Sequence, residues 1–261
     1  SMSETMKNHF YQSAESLKEE FSPVKTLEIG SNDGVFLKNF NNRTTIAVEP
    51  CGNFANITNQ LGYKTYPEFW TQNLAEKIVK NHGKQDLIFS ANCMCHIQNI
   101  ESAFNSISKT LSATGVFVFE DPSLLKMIKR GSYDQIYDEH AHIFSVTSLQ
   151  NVLNKCNLEI FKVENIDVHG GSNRIFACPI GTRKIHKSVK ESLLEENRAG
   201  LNTIEAYNRF ANRVSQSKDQ LVQILTELKR NGYKIISYGA TSKSTTVFNY
   251  CKIDSTLIDY I

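Results

Sequence analysis

Two stretches of almost unbroken apolar character, residues 86–92 and 115–120, constrain this chain more than anything else in it. A strand with one face in water alternates apolar and polar side chains. Runs such as Leu87-Ile88-Phe89 and Val116-Phe117-Val118-Phe119 have no polar face and must be covered on both sides. Such strands belong to a parallel sheet flanked by helices, and the rest of the amino-terminal half agrees. Met6, Phe10, Ala14, Leu17 and Phe21 recur at helical spacing up to Ser22-Pro23, giving a helix expected to lid or flank the first strand. Leu27 and Ile29 then sit two apart, and Val35, Phe36, Leu37 and Phe40 restart at helical spacing. A strand over 44–48, a helix near 54–61, a short strand over 63–66, a helix over 74–79 and a stripe at Ile100, Ala103, Phe104, Ile107 and Leu111 complete the alternation of a doubly wound sheet.

The first strand-to-helix junction, Glu28-Ile29-Gly30-Ser31-Asn32-Asp33-Gly34, is where such a sheet holds a ligand. Gly30 and Gly34 allow positive φ or close backbone approach, and a helix starting here would aim free N–H groups at the crevice. A dinucleotide loop needs a second glycine where this chain has Asn32, followed by Asp33, so a pyrophosphate fits poorly. A ligand with an ammonium, a carboxylate and a ribose but no phosphate would use Glu28, Asp33 and the Gly30 backbone. S-adenosylmethionine is such a ligand. The next strand ends in Glu49-Pro50, about twenty residues beyond Glu28, where an acidic side chain receives ribose hydroxyls.

A chain of 261 residues, 40% of them hydrophobic, has material for a full core. Its net charge of +2, with both signs interspersed, provides no field to hold a polyanion, so nucleic acid is not expected as a partner. No apolar run is long enough to cross a bilayer and no signal sequence opens the chain, so a cytoplasmic protein is expected. Cys93 and Cys95 lack a second pair at zinc spacing and are expected as buried free thiols.

Beyond residue 146 the pattern changes. Thr147-x-x-Gln150 has the form of a capping box opening a helix through Cys156, and 158–166 and 174–178 read as two strands joined through His169-Gly170-Gly171-Ser172. Five parallel strands closed by an antiparallel pair is the ending of a class I methyltransferase sheet, and this Rossmann-like fold is expected over residues 1–180. Residues 181–261 are expected to form a long helix, running from Ile204 to Leu228 and capped at Asn231-Gly232, and then a partial second α/β unit. In that unit a strand over 234–238 leads through Gly239 to Lys243 at a helix start, a setting suited to phosphate but without the glycine before lysine of a Walker loop.

The loop after the fifth strand crowds Tyr137, Glu139, His140 and His142 together at the end of the sheet where ligands bind. His140 and His142 are two apart with no evident further soft ligands, so no metal is expected there. General-base chemistry is expected instead: an imidazole titrates near neutrality, and Glu139 beside it is expected to orient it.

Taken in order, Glu28-Ile29-Gly30-Ser31-Asn32-Asp33-Gly34, Val48-Glu49-Pro50, Asn92 with His96, Tyr137-Asp138-Glu139-His140, His169-Gly170-Gly171-Ser172 with Arg174, and Tyr238-Gly239 with Lys243 resemble the sugar C-methyltransferases of deoxysugar-nucleotide pathways. The resemblance implies an S-adenosylmethionine site at Glu28, Gly30, Asn32, Asp33, Gly34, Glu49, Pro50, Asn92 and His96. It implies a nucleotide-sugar site drawing on His142, His169, Ser172, Arg174, Gly239 and Lys243. It also implies that His140, with Glu139 and Tyr137 close by, removes a proton from the carbon beside a keto group, and that the resulting enolate takes the methyl. The amino-terminal zinc module of such enzymes and most of their carboxyl-terminal domain are expected to lie outside this sequence, since no cysteine precedes Cys51. O- or N-methylation of another nucleotide-activated acceptor, such as a phosphoramidate, and a SAM-binding partner subunit without catalysis are the competing readings. Methylation of a nucleic-acid base ranks below all of these, because Asn92-Cys93-Met94-Cys95 stands where base-amine methyltransferases resemble one another in an Asn/Asp-Pro-Pro-aromatic run.

Overall fold

A computed structural model of the chain describes residues 3–168 and 170–261. Its centre is a seven-stranded sheet in the order β3-β2-β1-β4-β5-β7-β6. The strands are β1 (Thr26–Ile29), β2 (Thr45–Val48), β3 (Lys64–Tyr66), β4 (Gln85–Ala91), β5 (Leu111–Pro122), β6 (Leu158–Ile166) and β7 (Ser172–Pro179). The first five pair in parallel, and β7 enters antiparallel between β5 and β6.

The apolar runs are sandwiched as their composition requires. Leu87, Phe89, Val116 and Val118 face one core with Phe10, Ala14 and Leu17 of helix α1 (Glu4–Phe21) and with Phe36 and Phe40. Ile88, Phe117 and Phe119 face the other, under α3 (Gln72–His82), α4 (Ile100–Thr110) and α6 (Val146–Lys155). In chain order the remaining helices are α2 (Gly52–Gln60), α5 (Leu124–Arg130), α7 (Lys187–Ala199), α8 (Ile204–Arg230) and α9 (Ser242–Cys251). Among the described residues no helix is long and apolar enough to cross a membrane.

Four expectations are corrected. After β1 no α-helix forms: Phe36 and Leu37 open only a 3₁₀ turn, Leu37–Asn39, because the Asn39 amide donates to the carbonyls of Val35 and Phe36 and ends the helical path. The cap of α6 is Ser145 with Ser148, two residues ahead of the Thr147 box. Thr147 instead binds the buried Glu196 of α7, whose carboxylate accepts from the N–H groups of Val146 and Thr147. The chain therefore stays on the sheet past residue 180, since α7 packs against β6 and α6. The strand expected over 234–238 shrinks to a single bridge between Ile236 and Tyr260, leaving Tyr238 fully exposed.

One buried network ties α1 to the sheet. Arg174 of β7 bonds Glu120 of β5 at 2.7 Å, Glu164 of β6 at 3.0 Å and the Ser13 hydroxyl of α1, while His9 of α1 donates to Glu120 at 2.7 Å. Burial pushes the Glu120 carboxyl up, but the His9 hydrogen bond and the Arg174 charge outweigh it and hold the group below its ordinary value. Removing one member of a buried pair strands the other, so Glu120→Gln is expected to cost about 3–5 kcal/mol, read as a lower urea midpoint at unchanged slope. A depressed carboxyl contributes stability at pH values above its unfolded pKa and loses it as pH falls through the folded one. The wild type should therefore lose stability below the ordinary glutamate value of 4.5 more steeply than the variant.

Candidate active site

At the carboxyl ends of β1, β2 and β4 lies a cavity of about 950 Å³. Its wall is the β1 turn. Gly30 stands at φ 77°, donates its N–H to Val48 at 2.8 Å, and has no room for a side chain, because a Cβ would lie 3.0 Å from Cys93 Sγ. Asn32 takes φ 48° so that its N–H meets Glu49 Oε2 at 2.8 Å, and the other Glu49 oxygen accepts from the Cys51 N–H at 2.9 Å. Glu49 is thus locked against the turn by two backbone donors, its remaining lone pairs directed at a neighbour such as a ribose diol. Glu28, Gly30, Asn32, Glu49, Pro50, Asn92 and His96 all line this cavity.

Asp33 and Gly34 do not. Gly34 faces α2, where a Cβ would come within 2.9 Å of Thr58 Cγ2, and its φ of 76° completes the turn. Asp33 sits beside it, its N–H bonded to the Asn32 side chain. These two residues build the cradle.

The cavity has the polar groups that a cation-bearing nucleoside needs. Glu28 Oε2 and Ser31 Oγ are buried without a partner. Burial, with Glu49 and Asp33 close by, drives the Glu28 carboxyl well above its ordinary value against the opposing Leu37 backbone hydrogen bond. Buried orphan acceptors cost free energy until a donor arrives. An ammonium and ribose hydroxyls are such donors, so the residues present fit S-adenosylmethionine. The apolar part of the wall comes from Met6, Phe10, Phe36, Phe69 and Trp70. Sequence reasoning missed the last two, and for α1 it left open whether the helix lids or only flanks the first strand, since nothing in an amphipathic stripe tells which end of it reaches a ligand.

Next to the cavity, the loops after β4 and α5 are stitched together through backbone carbonyls. His96 Nδ1 lies 2.7 Å from the Glu139 carbonyl, and His142 reaches the carbonyls of Ile97 and Gln98 at 3.1 and 3.2 Å while its own N–H meets Cys95. His140 stands between them. Its Nδ1 lies 2.8 Å from the Gln135 carbonyl and must carry the proton, which leaves an Nε2 lone pair facing the Tyr137 hydroxyl at 2.8 Å. The His96 and His140 rings are 5.1 Å apart. Burial, followed by the charges of His96 and Lys243, lowers the His140 pKa below its ordinary value against the Gln135 bond and the Glu139 charge, which favours the neutral imidazole.

Several assignments change here. The Glu139 carboxylate does not hold His140; its carbonyl holds His96, since neighbouring residues of a tight turn point apart, and Gln135 and Tyr137 orient the His140 ring. His142 serves as a stitch between loops. Arg174 uses its guanidinium within the buried network and Ser172 is fully buried, its hydroxyl on the Val168 carbonyl, so neither faces the cavity. Gly239 is exposed, and a side chain there would meet open space. Lys243 opens α9, which docks on the loop through Tyr133 Oη and Cys251 Sγ at 3.3 Å, close enough for its charge to act on His140. His169 lies outside the described residues. The expectation against metal ligands overlooked Cys95 and His96, which the fold brings to His140 from 44–45 residues away.

Residues 8–163 match a family model described as a methyltransferase domain, and residues 167–261 one described as a C-methyltransferase C-terminal domain. The C-methyltransferase NovU of Streptomyces niveus is 31% identical over 228 residues, 86% of this chain and 54% of that protein. The chain thus spans about half the length of that curated relative. Among solved structures, an S-adenosylmethionine-dependent methyltransferase from Clostridium acetobutylicum matches over 67% of this chain and 92% of its own, at TM-score 0.53 and 14% identity. The plantazolicin methyltransferase BpumL, solved with S-adenosylhomocysteine (SAH), matches over 67% and 86% at TM-score 0.50 and 13% identity. Likeness at these identities concerns the fold.

Gly30→Asp places a side chain against Cys93 in the cofactor wall. It is expected to weaken S-adenosylmethionine binding at least tenfold by calorimetry, about 1.4 kcal/mol or more. Undiminished binding would remove the turn from the site.

Proposed function

The chain belongs to the methyltransferase-domain family and has the class I S-adenosylmethionine-dependent fold, and from that premise we propose that it methylates a carbon beside the keto group of a small nucleotide-linked sugar. S-adenosylmethionine, when bound, supplies an activated methyl on a sulfonium. Glu28, Gly30 and Glu49 hold the donor; His140 prepares the acceptor.

The observation that carries this reading is the state of His140. A ring whose Nδ1 is fixed on a carbonyl, whose Nε2 faces a single tyrosine hydroxyl, and whose pKa burial holds below the ordinary value is arranged to take a proton. O-methylation of an ordinary hydroxyl has less need of such a base than removal of a carbon-bound proton. Once Nε2 takes the proton, the Tyr137 hydroxyl is released to donate to the enolate oxygen, where charge has developed. The buried rings of Trp70 and Phe36 give the cavity an apolar wall suited to keeping water from the methyl. Similarity to a C-methyltransferase supports carbon as the site of attack, and Lys243, near His140, suits the phosphates of a nucleotide carrier.

His140→Asn is expected to lower turnover by about 10²–10⁴-fold with S-adenosylmethionine affinity unchanged. In D2O without the donor, the wild type is expected to exchange the hydrogen beside the ketone of a nucleotide-linked 4-keto sugar, and the variant is not. Turnover without such exchange, undiminished in the variant, would replace carbon by oxygen or nitrogen as the acceptor.

A further inference from the structure

Cys95 and His96 lie in the 3₁₀ turn that follows β4, and His140 in the loop after α5. One ligand-capable atom from each of the three lies within 4.8 Å of the other two. In a tetrahedral zinc site, with Zn–S about 2.3 Å and Zn–N about 2.0–2.1 Å, ligand atoms stand about 3.3–3.6 Å apart, so rotation of the side chains by roughly an ångström brings this set into register.

Two further features suit a metal. Both histidines have Nδ1 on a backbone carbonyl, Glu139 for His96 and Gln135 for His140, which fixes the tautomer that presents Nε2 as a lone-pair donor. Metal-binding imidazoles are held in this way. The Cys95 side chain is buried against the Asp121 carboxylate, and Asp121 Oδ2 has no hydrogen-bond partner. Burial and the same carboxyl push the Cys95 thiol up, so it keeps its proton until a metal displaces it, and the unpartnered Asp121 oxygen is left to face the bound cation.

We propose that Cys95, His96 and His140 form a three-ligand site for a soft divalent cation of the zinc class, with the fourth position left to water or an acceptor oxygen. On binding, the Cys95 S–H bond breaks, a sulfur–metal bond forms and the proton passes to the buffer. The consequence for catalysis rests on the reading of His140 as base: the metal takes the same Nε2 lone pair that would take the proton, so metal and methyl transfer exclude each other.

The test uses the full chain, dialysed against chelator and titrated with Co2+ and then Zn2+. Co2+ is expected to bind at one equivalent with a thiolate-to-metal charge-transfer band in the near ultraviolet. That band should vanish in Cys95→Ala, and Zn2+ affinity should fall at least tenfold in Cys95→Ala and in His96→Ala. Zn2+ is expected to stop methyl transfer, with chelator restoring it. A wild-type cobalt spectrum without the thiolate band, or Zn2+ affinity unchanged by Cys95→Ala, overturns the site whether or not the variants fold well. The thiolate band together with full turnover in saturating Zn2+ upholds the site and overturns His140 as the base.

Discussion

The central strands β4 and β5 are buried on both faces, and everything functional follows from where they are allowed to end. Leu87, Phe89, Val116 and Val118 on one side and Ile88, Phe117 and Phe119 on the other commit each strand to two apolar layers. Beyond these apolar runs, at the carboxyl ends, come the polar groups of Asn92, Glu120 and Asp121. The parallel register aligns those ends with the Gly30 turn of β1 and with Glu49 after β2, so a row of acidic side chains and backbone donors converges on one edge of an otherwise apolar sheet.

Such an edge is costly unless its polar groups are satisfied, and the chain does this in two ways. At Glu120 the satisfaction is internal: Arg174, Glu164, Ser13 and His9 close the network and pin α1 across the sheet. Met6 and Phe10 of that helix reach the cavity as a result. At Glu28 and Ser31 the groups are left without partners, which is how a ligand site differs from a structural one.

The second half of the site is built from carbonyls. His96 and His142 each bind a main-chain oxygen of the opposite loop and so clamp the segments after β4 and α5 together, while His140 binds Gln135 within its own loop and keeps Nε2 on the Tyr137 hydroxyl. Glu196, buried under the start of α6, fixes the far end of the same loop. The loop is thereby held at both ends by bonds to other elements.

The succession of five parallel strands and a closing antiparallel pair, the glycine turn between Glu28 and Gly34, and the long helix α8 were legible in the sequence because each rests on local periodicity or on short spacing. The histidine loop was also legible as a cluster, but not in its wiring. Glu139 adjoins His140 in the chain and does not orient it; Gln135 does, through a carbonyl that no residue name reveals. The 3₁₀ turn after β1 and the cap at Ser145 were decided by single side-chain hydrogen bonds that compete with helix propensity. Arg174 reads as a ligand contact in a motif and becomes an internal tie only when β7 is inserted beside β5. Sequence alone thus determined which residues must be buried and which backbone turns are possible. Tertiary structure decided which polar atoms find partners, because a hydrogen bond or a ligand set is a matter of ångströms between segments that can lie more than forty residues apart.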